Sequence, residues 1–118
     1  MQGHERARAW LAAAELGEVS LEVPDLIWPE SAHAILRYVR AGTLSRADAD
    51  LIVSRITRFP ADVHALRELL PAAWAASAVS RLSVYDSCYL VLARAARATL
   101  VTFDTDFDGL YERLELLA

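Results

Sequence analysis

Apolar residues recur at helical spacing along most of this 118-residue chain. Two serines add a second signal: Ser45 and Ser83 each stand three residues before an aspartate, which is the pattern of a capped helix N-terminus. Gly17 and Gly42 are suitable helix stops because glycine is favoured just after a helix. From these signals we predict five helices, over residues 4–16, 29–41, 45–57, 65–80 and 83–96.

Two other segments have the pattern of β-strands. Residues 19–23 alternate polar and apolar, whereas residues 98–104 are mostly apolar and resemble a fully buried strand. Residues 58–66 could add a few extended residues, and the tail after 108–109 could form a short helix or a short strand. Strands separated by helices predict an α/β fold, with a parallel sheet flanked by helices. We expect a single domain over residues 1–118, although two clear strands are few for a sheet of this kind.

Composition narrows the possible functions. The net charge is −4 and the pI about 5.3, so the chain as a whole lacks the basic charge common in nucleic-acid-binding domains. All twelve cationic side chains are arginine, which excludes any chemistry that needs a lysine. The single cysteine, Cys88, excludes an internal disulfide. No signal peptide or membrane-length apolar run is evident, so we expect a soluble cytoplasmic protein without membrane contact.

Four acidic residues flank the predicted strands and helices. Each has an ordinary local explanation: Glu30 and Asp86 fall in first helical turns, while Asp104 and Asp106 follow a strand. Together they are less ordinary, because in a parallel sheet the strand ends and the following helix starts lie on one rim. Carboxylates that converge there repel one another unless a divalent cation lies between them, and oxygen ligands favour Mg²⁺ or Mn²⁺. Such an ion can activate water and stabilise a phosphoryl transition state.

Other chemistries fit less well. The three histidines lack metal-ligand spacing, and there is no glycine-rich phosphate loop. The stretch "FDTDFDG" resembles the Asp-x-Asp motif of haloacid-dehalogenase-type phosphatases. That motif needs most of a domain after it and usually a lysine, whereas only a short tail follows here and no lysine is present.

Two segments of the chain resemble a known family. "PDLIWPESAHAILRYVRAGTLSRADA" and "LSVYDSCYLVLARAARATLVTFDTDF" are similar to PIN-domain ribonucleases, specifically VapC-type toxins of type II toxin–antitoxin pairs. The resemblance implies an α/β fold with a parallel sheet between helices, and Mg²⁺- or Mn²⁺-dependent cleavage of RNA. It implies catalysis by Glu30, Asp86 and Asp104, which would bind the metal, with Asp106 as a further ligand that positions a water molecule. It also implies an antitoxin partner, and we expect a homodimer. Arg81, Arg94 and Arg97 are further candidates for contacts with RNA phosphates.

The chain departs from that family at its start. Members of the family open with a strand that carries a first catalytic aspartate, in a stretch like "VVDAS", and this sequence has no such stretch. The missing strand is central in the family, so we expect two open strand edges, self-association and reduced metal-dependent cleavage. A second hypothesis follows from the same departure: a non-catalytic PIN-like module that keeps an antitoxin-binding or dimerisation surface.

Overall fold

Helices and short strands alternate along residues 2–118, the part of the chain that the computed structural model describes. A short 3₁₀ turn at Thr105–Phe107 links the last two strands. The α/β class is therefore confirmed. The helices are α1 (Gly3–Glu15), α2 (Ile27–Arg40), α3 (Arg46–Ile56), α4 (Leu66–Ala78) and α5 (Val84–Ala96), and the strands are β1 (Glu22–Pro24), β2 (Asp62–His64), β3 (Leu100–Thr102) and β4 (Leu114–Leu116).

The strand boundaries differ from the prediction more than the helix boundaries do. The alternating segment at 19–23 forms a strand only from Glu22, because its pairing partner is β2 and that pairing begins at Glu22 and Asp62. The predicted strand at 98–104 shortens to β3. The tail, for which helix and strand were both open, forms the strand β4.

The four strands form two separate pairs. β1 pairs in parallel with β2, and β3 pairs in parallel with β4, where Leu100 lies opposite Leu114. Within residues 2–118, β1 and β3 thus each have a single strand partner. The predicted parallel pairing is present, but as two sheets of two strands, with no described strand joining β1 to β3.

Helix α5 lies at the centre of the packing and contacts α4, β1 and β3. Ser83 caps it, since its hydroxyl oxygen accepts the Asp86 backbone N–H at 3.0 Å. Along the helix, Leu90 is 2% exposed and belongs to a core that includes Leu100 of β3 and Phe107 of the 3₁₀ turn. These contacts fix the start of α5 beside the carboxyl end of β3, which is where the candidate site lies.

The first helix is attached to the last strand. The indole Nε1 of Trp10 donates to Glu115 Oε2 at 2.6 Å, and the Arg6 guanidinium lies 3.6 Å from the other oxygen of the same carboxylate. At the start of α1, a Cβ added to Gly3 would overlap the carbonyl oxygen of Leu117, so only glycine fits there without movement. None of the helices in the described part of the chain is long and apolar enough to cross a membrane.

Candidate metal centre

Three aspartates meet at one edge of the molecule. Asp86, Asp104 and Asp106 each offer a carboxylate oxygen, and these three oxygens all lie within 4.8 Å of one another. Asp86 and Asp104 are half-buried and Asp106 is exposed. All three were candidates from the sequence, and the structure brings them together from two elements that are separated along the chain.

Local hydrogen bonds shape the loop that carries two of these acids. The Asp104 backbone N–H donates to Thr102 Oγ1 at 3.0 Å, which ties the residue to the end of β3. The Asp104 carboxylate then accepts the Asp106 backbone N–H at 2.8 Å and so caps the 3₁₀ turn. One oxygen of Asp104 therefore helps to hold the turn in shape. Because Asp106 lies in that turn, the same bond sets where its carboxylate stands.

The charges at this edge oppose one another. Burial raises the pKa of Asp86, and the negative charge of Asp104 raises it further, with smaller contributions from Glu30 and Asp106. A hydrogen bond with Ser83 acts in the opposite direction and lowers the pKa. The net increase means that the ionised form of Asp86 is disfavoured here, as expected for carboxylates that share a site without a cation.

Glu30 lies near enough to Asp86 for its charge to raise the pKa of that residue, but it is not one of the three mutually close acids. It lies in the first turn of α2, and its Oε1 accepts a hydrogen bond from the hydroxyl of Tyr89 on α5. Burial and this glutamate together raise the pKa of Tyr89 well above its usual value, so the phenol remains a donor at neutral pH. Tyr89 was not among the candidates from the sequence. The signal available was its position three residues after Asp86, which puts both side chains on one face of the helix.

One further buried acidic group, at Asp25, was not among the candidates from the sequence. Asp25 follows β1 directly, and its backbone N–H donates to the carbonyl oxygen of His64 at 2.9 Å. Its Oδ1 is buried without a hydrogen-bond partner in the described residues.

Burial raises the pKa of the Cys88 thiol, and the charges of Glu30 and Asp25 raise it further, which disfavours a nucleophilic thiolate.

The three arginines considered for RNA contacts lie at opposite ends of α5. Arg81 is exposed and precedes the helix cap Ser83, at the end that carries Asp86. Arg94 and Arg97 are at the other end, about 12–16 Å along the helix axis from Asp86 at 1.5 Å per residue. There, Arg94 donates to the Leu110 carbonyl oxygen at 3.2 Å, and Arg97 takes a left-handed conformation that ends the helix.

The donor set of the three aspartates fits a hard divalent cation. All three ligands would be carboxylate oxygens, which Mg²⁺ and Mn²⁺ prefer over softer donors such as thiolate sulfur. A cation among them would also remove the repulsion that raises the Asp86 pKa. The residues present are therefore suited to holding such an ion, with Glu30 near enough to influence it through charge.

Comparison with known proteins gives a consistent result. The sequence profile of the PIN domain matches residues 2–113. The chain is 32% identical over 91 residues to Ribonuclease VapC3 of Mycobacterium tuberculosis, both in strain CDC 1551 / Oshkosh and in strain ATCC 25618 / H37Rv. The matched region covers 77% of this chain and 65% of that ribonuclease.

Proposed function

We propose that this chain, which belongs to the PIN-domain family, is an Mg²⁺- or Mn²⁺-dependent endoribonuclease of the VapC type. The observation that carries the proposal is the group of three carboxylate oxygens within 4.8 Å of one another, supplied by Asp86, Asp104 and Asp106. The similarity to a protein named Ribonuclease VapC3 supports RNA as the substrate.

Each residue of the site has a proposed task. Asp86, Asp104 and Glu30 would hold the cation, and Asp106 would complete the acidic edge and position a water molecule there. When bound, a divalent ion supplies Lewis-acid stabilisation of the charge that develops on a phosphodiester during cleavage. Ser83 and Thr102 keep Asp86 and Asp104 in place through the hydrogen bonds described above. Arg81, at the same end of α5, is available for an RNA phosphate, and Arg94 and Arg97 could contact phosphates farther along the strand.

Partner proteins are part of the same proposal. We expect a toxin of a type II toxin–antitoxin pair that acts in the cytoplasm, forms a homodimer and is held by an antitoxin. Exposed apolar side chains on two helices support protein-binding surfaces there. They include Leu51, Ile52 and Val53 of α3, together with Trp74 of α4, whose exposed fraction is 67%.

A second candidate function is a non-catalytic PIN-like module that binds an antitoxin or a second copy of the chain. The observation that favours it is the composition of the acidic group, since three carboxylates hold a cation less well than four and Glu30 lies outside the close set. For the same reason we expect reduced cleavage by the 118-residue chain if it is an enzyme.

Cleavage and metal binding, measured on one sample, distinguish these functions. The chain is incubated with a mixed RNA substrate in Mn²⁺, in Mg²⁺ and in EDTA, beside the variant Asp104→Asn, and Mn²⁺ binding is measured by calorimetry. We expect slow cleavage that EDTA and Asp104→Asn both abolish. Mn²⁺ binding without cleavage would favour the non-catalytic module. No Mn²⁺ binding, or cleavage that survives both EDTA and Asp104→Asn, would overturn the metal-dependent enzyme.

A further inference from the structure

Tyr89 joins the two helices that supply acids to the site. It lies on α5 one turn after Asp86, and its hydroxyl donates to Glu30 on α2, 59 positions earlier in the sequence. The ring packs against the core cluster formed by Leu90 and its neighbours, so the hydroxyl is held at the margin between this core and the acidic edge.

Glu30 needs such a partner if it is to act at a defined place. Glu30 is exposed, and a free glutamate side chain loses rotamer entropy when it is fixed in one orientation. A hydrogen bond to a carboxylate offsets that loss before any cation arrives. One carboxylate oxygen of Glu30 accepts from Tyr89, which leaves the other available for a ligand.

We propose that Tyr89 is a positioning residue of the metal site, whose hydroxyl holds the Glu30 carboxylate beside the group formed by Asp86, Asp104 and Asp106, so that its free oxygen can reach a cation bound there. The inference rests on the proposed function, because it assumes that the three aspartates bind a cation. It assigns Tyr89 no contact with the substrate. Its effect passes entirely through Glu30.

The matching test measures Mn²⁺ affinity by calorimetry, without RNA. Tyr89→Phe keeps the ring in the core and removes only the hydroxyl. Loss of a group that orients a metal ligand typically weakens binding about 10–100-fold, and we expect a decrease in that range. Glu30→Gln should also weaken binding. The double variant Tyr89→Phe with Glu30→Gln should bind like Glu30→Gln alone, because the hydroxyl then has no carboxylate to orient.

Tyr111 offers a matched control. Its hydroxyl donates to the backbone carbonyl oxygens of Ala93 and Ala98 at the far end of α5, at 3.1 and 2.6 Å. Tyr111→Phe should therefore lower the melting temperature without changing Mn²⁺ affinity, which separates a loss of stability from a loss of positioning.

The outcomes are distinct. If the wild type binds Mn²⁺ and Tyr89→Phe binds it with the same affinity, the role of Tyr89 is overturned and the metal site stands. The same holds if Tyr89→Phe and Glu30→Gln weaken binding additively, or if Tyr111→Phe weakens it equally. Absence of Mn²⁺ binding by the wild type would overturn this inference together with the metal-dependent function.

Discussion

Replacing Asp86 with asparagine should stabilise the protein when no divalent ion is present and destabilise it relative to the wild type when Mn²⁺ is added. The reason is that Asp86 lies within 4.8 Å of two other carboxylates. Their repulsion acts on the folded state alone, whereas a cation bound among them also stabilises the folded state alone. The two effects have opposite signs, so the order of stability of the two proteins should invert.

The size of the metal-free effect follows from the distances. At the upper limit of their separation, 4.8 Å, two unit charges repel by about 0.9 kcal/mol at the dielectric constant of water. The variant removes two such pairs, or about 1.7 kcal/mol, and loses about 0.3–1 kcal/mol of favourable interaction between Asp86 and the N-terminus of α5. The balance is about 1 kcal/mol, which corresponds to an increase of about 4 °C in melting temperature for a domain of this size.

Mn²⁺ should reverse the order. At about 100 times its dissociation constant, an ion that binds only the folded wild type contributes about 2.7 kcal/mol. Removal of groups that merely orient a metal ligand weakens binding up to about 100-fold, so removal of a ligand should weaken it at least as much. At the same ion concentration the variant then gains less than about 0.5 kcal/mol. The wild type should therefore melt several degrees above Asp86→Asn in Mn²⁺.

The assay is a pair of thermal melts at low ionic strength, with EDTA and with Mn²⁺. Asp108→Asn is the control, because it removes the same charge from the same loop at a residue outside the three-acid group. It should melt like the wild type in both buffers. The reasoning is refuted if Asp86→Asn is less stable than the wild type in EDTA, or if Mn²⁺ raises the melting temperatures of both proteins equally.

The pH dependence of the free energy of unfolding offers a second test of the charge repulsion at Asp86. The folded-state pKa of Asp86 is raised above its ordinary value of 3.8, so the folded protein holds this proton after the unfolded chain has lost it. In EDTA, this residue therefore makes the free energy of unfolding fall as pH rises from about 3.8 through the raised pKa. Asp86→Asn should lack that part of the decrease.

Two further substitutions test how the site is supported. Ser83→Ala removes the cap that accepts the Asp86 N–H, and should cost about 1 kcal/mol in urea denaturation while also weakening Mn²⁺ binding; unchanged Mn²⁺ affinity would show that the cap does not position Asp86. Ser87→Ala should cost about 1–3 kcal/mol, because it leaves the Ser77 hydroxyl, 2.7 Å away, without its partner. In urea denaturation, the double variant Ser77→Ala with Ser87→Ala should lose less stability than Ser87→Ala alone. An equal or greater loss in the double variant would contradict the pairing.

Local signals explain which parts of the fold could be predicted from the sequence. The Ser83–Asp86 capping pattern predicted the start of α5 because both partners lie within one helical turn. The strands β1 and β2 are only three residues long and are fixed by each other across about forty positions, so no local pattern determines their limits. The local sequence also left the tail open between helix and strand, because the pairing of β4 with β3 decides its conformation.

The candidate site divides in the same way. Asp104 and Asp106 are neighbours in one loop, and Asp86 starts a helix, so their positions on a common rim could be inferred from the order of elements. The role of Glu30 could not be refined in this way. The Tyr89 hydroxyl donates to the Glu30 carboxylate, and this contact depends on how α2 packs against α5, which involves residues 59 positions apart.

The attachment of α1 to β4 has a consequence for protein synthesis. The Trp10–Glu115 hydrogen bond joins residues 105 positions apart, so the first helix leaves the ribosome long before its partner strand has been translated. At about 5–20 residues per second, α1 waits about 5–20 s for that strand. During this interval the indole of Trp10 has no carboxylate to bind, and the nascent helix is available to chaperones. Docking of α1 is thus a late step of folding, which waits for the segment that contains Glu115.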